Sequence, residues 1–144
     1  MTAGQRRRFE IRRAYDAPSR DRSYQVLVDR LWPRGVRKDE AALDEWAKDV
    51  APSDALRRWF GHETGKFEEF ARRYRAELEE SPGQEVVTRL RGEAASRPVT
   101  LVTATRDVEH SGAAVLRDVL AGSATRGKDR RAARTDERQG PSTE

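Results

Sequence analysis

YQVLVDRLWPRGV, residues 24–36, is the segment that decides the fold. It begins with the apolar run Val26 to Val28 and continues into charged and aromatic residues as far as Gly35. A short apolar run bounded by turn residues predicts a buried strand, here over 24–31. Because ligands of open α/β sheets bind where strands end at their carboxyl edge, we expect residues 29–35 to form the rim of a site.

Apolar periodicity predicts an α/β order of elements around this strand. Strands are predicted at 8–15, 24–31 and 99–105, and helices at 54–60, 65–80, 84–96 and 109–121. The crossover from the last strand to the last helix favours parallel strands. We therefore expect a small three-layer α/β domain with a mostly parallel sheet of about four strands flanked by helices. Strands 24–31 and 99–105 should then end side by side.

The segments between these elements carry weaker signals. Residues 37–42 can form one helical turn, and residues 43–50 fit a helix better than a strand on their pattern alone. Ser53 and Thr64 are predicted to cap the helices that follow them, and Gly61 is predicted to end the first of these.

The length of 144 residues suits a single domain. We predict a flexible N-terminus over 1–8, a single α/β domain over 9–122 and a disordered basic tail over 123–144 that adds no stability, because the tail lacks an apolar period.

Composition limits the function classes. A net charge of +4 permits anionic partners, either small molecules or nucleic acid, without requiring them. The absence of cysteine excludes disulfides, thiolate metal sites and a cysteine nucleophile, and fits a cytoplasmic location. No apolar run approaches the ~20 residues that a membrane span needs, so no membrane partner is expected. No secretory signal is present at the start of the chain, and the sequence leaves the oligomeric state open.

Four candidate site residues follow the central strand: Asp29, Arg30, Trp32 and Arg34. Arginine offers a planar fork of donors to phosphate or carboxylate, and a tryptophan ring offers a face to a base or ring. Asp29 is a candidate catalytic base or a group that orients an arginine. The alternative is that Asp29 forms a structural ion pair and Trp32 packs in the core.

A second group of candidates follows the last strand, namely Thr105, Arg106, Asp107 and His110. Helix N-termini attract anions, and the pKa of histidine lies near neutrality, so His110 is a candidate catalytic acid or base. The alternative is that Asp107 caps the helix and His110 lies on its surface. His62 either joins the same rim or caps the C-terminus of the helix before it.

Other kinds of site are not indicated. Two histidines with scattered carboxylates lack the spacing of metal ligands, so we expect no metal site and no cofactor. Neither a glycine-rich phosphate loop nor a nucleophile elbow is present.

Four blocks of sequence occur in a characteristic order: LVDRLWPRG at 27–35, WAKDVAPS at 46–53, LRRWFGH at 56–62 and RDVEH at 106–110. Together they resemble the domain of unknown function 488 family, and in particular its YeaO-like branch. The resemblance covers about residues 9–121. It implies a small, single-domain, three-layer α/β protein of bacteria and archaea, with no agreed activity. It also shifts residues 44–49 toward a short strand.

The chain departs from this family at two places. Members often carry Asn after the histidine of the last block, where this chain has Ser111 and Gly112, and other branches carry cysteines that are absent here.

Three functions remain open on the sequence. The first is a site for a phosphate-bearing or other anionic small ligand, with or without catalysis, which predicts arginines that converge in a concave pocket. The second is a nucleic-acid-binding accessory protein, which predicts arginines spread over a convex or grooved basic face. The third is a partner-binding module without chemistry, which predicts an exposed apolar patch.

Overall fold

A computed structural model describes residues 8–16 and 22–122 of the chain. The prediction of a disordered tail over 123–144 lies outside these residues, as does nearly all of the predicted N-terminal segment.

Among the described residues the sheet has four parallel strands, as predicted. They are β1 (Phe9–Arg13), β2 (Tyr24–Leu27), β3 (Glu45–Trp46) and β4 (Val99–Thr103), in the spatial order β1-β4-β2-β3. Leu27 of β2 pairs with Val102 of β4, so these two strands end side by side. The sequence-based expectation that their carboxyl ends share one edge is therefore confirmed.

Within residues 8–16 and 22–122, four α-helices follow in the expected places. They are α1 (Asp54–Phe60), α2 (Phe67–Leu78), α3 (Gly83–Ala94) and α4 (Gly112–Leu120). Short 3-10 turns lie at Lys38–Glu40, Lys48–Val50, Thr64–Lys66 and Val108–His110. Ser53 caps α1 by accepting a hydrogen bond from the backbone N–H of Leu56, and Gly61 ends α1 in the left-handed conformation, both as predicted.

Three boundaries differ from the sequence-based predictions. Strand β2 ends at Leu27 instead of residue 31, because the Ala104 N–H that would continue the ladder donates to the side chain of Asp29 instead. Helix α4 begins at Gly112, capped by Ser111, so Asp107 is not its cap. Thr64 makes no capping bond, because a 3-10 turn precedes α2 there.

The segment 43–50 contains the short strand Glu45–Trp46 and no α-helix, as the family resemblance implied. Glu45 and Trp46 pair with Val26 and Leu27, and a 3-10 turn follows at once. The pattern favoured a helix because three apolar residues recur at helical spacing, but pairing with the edge of β2 determines the conformation.

The core lies between the sheet and the helices. Buried side chains of all four helices join one face of the sheet, formed by Phe9, Val26, Val28, Val99 and Leu101, in one hydrophobic cluster. This packing fixes α1, α2 and α4 beside the ends of β2 and β4.

The opposite face of the sheet is more polar. There Arg12 donates to the side chain of Gln25 and to the carbonyl of Ala41, and Ser23 shares a hydrogen bond with Thr100. Arg12 thereby links this face of the sheet to the segment around Ala41.

Candidate functional site

A pocket of about 350 Å³ opens at the carboxyl ends of β2 and β4. The segment 28–34 and residues 103–105 form the sheet side of the pocket, while α1, α2 and the first turn of α4 close the other side. Six of the nine sequence-predicted site residues line this pocket: Asp29, Arg30, Trp32, Arg34, His62 and Thr105.

Asp29 joins the two strand ends. One carboxylate oxygen accepts a hydrogen bond from the Thr103 hydroxyl at 2.7 Å, and the other accepts from the Ala104 N–H at 2.8 Å. Burial raises the pKa of Asp29 above its ordinary value, although these two hydrogen bonds and the charge of Arg57 favour the ionised form. Each oxygen thus has one hydrogen-bond donor within the protein.

Two arginines meet at Asp54, just outside the pocket. Arg57 donates to an oxygen of Asp54 at 3.2 Å, and Nε of Arg30 lies 3.6 Å from the same oxygen. Arg30 also donates to the carbonyls of Ala51 and Pro52, both at the long distance of 3.4 Å. These contacts orient both guanidinium groups beside the pocket without burying them.

The turn after β2 is held by its own hydrogen bonds. Trp32 donates from its ring to the carbonyl of Val36 at 2.6 Å, and its ring meets Trp46 edge to face at 5.4 Å. The carbonyl of Arg34 accepts from the hydroxyl of Tyr15, which leaves the exposed guanidinium of Arg34 at the pocket mouth.

His62 is exposed and contacts the pocket through an unusual turn. Its backbone φ is +61°, directly after Gly61 at +54°, so two successive residues are left-handed. A non-glycine residue in this conformation is uncommon and costs free energy. The turn brings the imidazole to the pocket lining, 6.1 Å from the ring of Phe60.

The remaining three candidates lie away from the pocket lining. Oδ2 of Asp107 forms a hydrogen bond of 2.9 Å with Nδ1 of His110, and both side chains are about half exposed. The ring of His110 packs edge to face on Phe67 at 5.3 Å. Arg106 is exposed and does not line the pocket. The structure therefore separates His110 from Asp29.

A family model described as the inactive DUF488-N3 subclade matches residues 8–138 of the chain. The chain belongs to the DUF488 family. It is 45% identical over 115 residues to the uncharacterized protein Rv3073c of Mycobacterium tuberculosis, covering 80% of this chain and 95% of that protein. It is 38% identical over 112 residues to the uncharacterized protein YeaO of Escherichia coli, covering 78% and 96% respectively.

Comparison with solved structures gives no significant match to this DUF488 chain. Within residues 8–16 and 22–122, none of the helices is long and apolar enough to cross a membrane.

Several residues that line the DUF488 pocket were not among the sequence-based candidates. Arg57 lies on α1, and Tyr74 lies on α2, in the apolar stripe by which this helix faces the core. Tyr74 is indeed buried, and its hydroxyl donates to the carbonyl of Val50 at 2.5 Å, while burial raises its pKa above the ordinary value. A hydroxyl within an otherwise apolar helical stripe was the one signal in the sequence that pointed to Tyr74.

The charge of the pocket lining is strongly unequal. Arg30, Arg34 and Arg57 line it together with His62, whereas Asp29 is the single carboxylate among the described lining residues. Within the described part of the chain, no cluster of three or more His, Cys, Asp or Glu side chains is arranged to hold a metal ion. The arrangement can attract an anion, and its one carboxylate is engaged by the ends of the sheet.

Proposed function

We propose that the protein binds a small anionic ligand, carrying a phosphate or carboxylate group, in the pocket at the ends of β2 and β4. The observation that carries this proposal is the lining itself, with three arginines and a histidine around a single carboxylate whose two oxygens are already hydrogen-bonded. Guanidinium groups bind such anions through charge-assisted, bidentate hydrogen bonds.

Binding without catalysis is the form of this function that the site supports best. Asp29 accepts one hydrogen bond on each oxygen, from Thr103 and from Ala104, which assigns it to joining the two strand ends. His110 pairs with Asp107 outside the pocket. The description of the matching family model as inactive agrees with this assignment.

The two other functions receive less support. Nucleic-acid binding needs cations spread along a surface, whereas three arginines surround one concave pocket. A partner-binding module needs an apolar patch, but among the described residues Tyr15 and Leu31 are the exposed large hydrophobics.

The test is a titration of melting temperature with inorganic phosphate, mononucleotides, small aromatic acids and short oligonucleotides. A ligand of the native state raises the melting temperature by linkage. Replacing Arg30 with lysine keeps the charge but removes the bidentate fork, so Arg30→Lys should weaken binding by roughly 1–3 kcal/mol.

Arg106→Lys is the matched control, because Arg106 lies outside the pocket lining. A small anion that stabilises the wild type and Arg106→Lys but stabilises Arg30→Lys less supports the proposal. Stabilisation by oligonucleotides alone, with steep salt dependence, supports nucleic-acid binding instead. No shift with any anion contradicts both.

A further inference from the structure

The pocket has a buried apolar part and an exposed cationic part. Buried side chains, among them Val28, Phe60, Phe70 and Ala113, line its inner region. The cationic residues are more exposed, since 32% of the Arg30 side chain and 39% of the Arg57 side chain are accessible. Arg34 is exposed as well. The positive charge therefore lies at the rim of the pocket, and the apolar surface lies deeper inside.

The polar groups of the inner region are already hydrogen-bonded within the protein. The hydroxyl of Thr103 donates to Asp29, that of Tyr74 to the carbonyl of Val50, and that of Ser111 to the carbonyl of Val108. A ligand hydroxyl placed among them would lose its bonds to water and gain poor replacements, which is costly for a buried polar group. The inner region thus suits an apolar group and disfavours a sugar.

The volume limits the size of that apolar group. The pocket of about 350 Å³ lies near the small end of the range of ~300–1,000 Å³ typical of ligand sites. It has roughly twice the ~150 Å³ that holds benzene in an engineered apolar cavity. One ring or a short branched chain, together with one acid group, matches this space.

We infer that the ligand is a small amphipathic acid, with one carboxylate or phosphate monoester group held by the arginines at the rim and one ring or short apolar chain inserted between β2, β4 and α2. This inference rests on the proposed function and narrows it to a ligand class. Inorganic anions lack an apolar group to place in the inner region. Nucleotides would place the hydroxyls of their ribose there.

Isothermal titration calorimetry of the full chain with four probes tests the inference: phenyl phosphate, benzoate, inorganic phosphate and adenosine monophosphate. Either aromatic acid should bind at least about tenfold more tightly than inorganic phosphate and the nucleotide, because only the ring removes apolar surface from water without burying hydroxyls. Binding of all four with equal affinity, or tightest binding of the nucleotide, overturns this inference and leaves the proposed function standing. Binding of none of the four overturns both.

Two variants locate the apolar part of the ligand. Ala104 is half-buried and lines the pocket, so the larger side chain of Ala104→Leu should fill part of the space. The affinity for the aromatic acid should then fall by at least about fivefold, while the affinity for inorganic phosphate should stay unchanged. Ala55→Leu adds the same atoms at an exposed position of α1 and should change neither affinity.

Gly112→Ala provides a second route if Ala104→Leu folds poorly. A Cβ atom at Gly112 would lie 3.3 Å from Cγ of Pro52 and 3.5 Å from Cε2 of Tyr74, both on the pocket lining. Gly112→Ala should also lower the affinity for the aromatic acid without lowering the affinity for inorganic phosphate. Unchanged affinity for the aromatic acid in a folded Ala104→Leu and in Gly112→Ala contradicts insertion of the ring at this place.

Discussion

The carboxyl end of β2 and the turn after β4 carry similar residues but differ in what those residues contact. An aspartate and an arginine follow each strand, yet Asp29 and Arg30 line the pocket whereas Arg106 and Asp107 do not. Asp29 bonds to groups 74 and 75 residues away in the chain, while Asp107 bonds to His110, three residues away. Residue type alone does not distinguish a residue that ties two strands together from one that stabilises its own turn.

The largest expected effect follows from this difference. Asp29→Ala leaves the hydroxyl of Thr103 and the N–H of Ala104 without their acceptor at the partly buried ends of the strands, so it should lower the free energy of unfolding by about 2–4 kcal/mol. Asp107→Ala removes an exposed contact and should change it by no more than about 0.5 kcal/mol. Urea denaturation of both variants measures the two values. Equal losses would show that Asp29 and Asp107 contribute to stability in the same way.

The sheet was predictable because its signals are local and strong. The β-branched run at 99–103 and the apolar run at 26–28 each predict a buried strand, and the helices α1 to α3 in the connection between them suit a parallel crossover. The short strand β3 was not predictable from its own pattern, because two residues on the edge of β2 are selected by pairing and not by periodicity.

The second prediction compares Arg57, which lies on α1, with Arg106, which lies in the turn after β4. Arg57→Gln removes a cation from the pocket lining and should weaken binding of the anionic ligand about tenfold, equivalent to about 1.4 kcal/mol. Arg106→Gln removes the same charge outside the lining and should leave the affinity within about twofold of the wild type. Calorimetry with phenyl phosphate compares them, and a similar loss in both would indicate a diffuse field instead of a pocket.

Part of the site was predictable and part was not. Asp29, Arg30, Trp32 and Arg34, which line the pocket, were candidates because they follow a strand directly in the sequence, and so was Thr105. Arg57 was missed because a charged residue on an amphipathic helix usually faces solvent, and only the packing of α1 against α2 directs it toward the strand ends. His110 was included because the sequence does not show that the chain turns away after Thr105.

A smaller effect, of opposite sign, is expected at Asp54. Its carboxylate pairs with Arg57 and lies near Arg30, so an anionic ligand competes with it for both guanidinium groups. Asp54→Asn should therefore increase the affinity for phenyl phosphate by about two- to fivefold. Asp39→Asn is the matched control, because Asp39 pairs with Arg37 at an exposed position outside the pocket. A decrease in Asp54→Asn would show instead that Asp54 positions the arginines for the ligand.

The dependence of stability on pH is a further consequence of the burial of Asp29. Burial raises the pKa of Asp29 in the folded chain above its unfolded value of about 3.9, so the folded state binds this proton more tightly than the unfolded state. The contribution of Asp29 to the free energy of unfolding is then fully present below pH ~4 and decreases as the pH rises through the folded pKa. The difference in unfolding free energy between wild type and Asp29→Asn, measured in urea from pH 3.5 to pH 7, should fall with rising pH by roughly 1.4 kcal/mol for each unit of pKa shift.

Glu45 supplies the opposite case within the same sheet. The hydrogen bond from Arg89 lowers the pKa of Glu45 in the folded chain, so its contribution to stability is present above its unfolded pKa of about 4.3 and is lost as the pH falls through the folded pKa. The difference between wild type and Glu45→Gln should therefore increase as the pH rises from the folded pKa of Glu45 to about 4.3, whereas the Asp29 difference decreases above pH ~4. If both differences increase with pH, the charge of Arg57 and the two hydrogen bonds outweigh burial at Asp29, and its carboxylate is favoured as an anion beside the pocket.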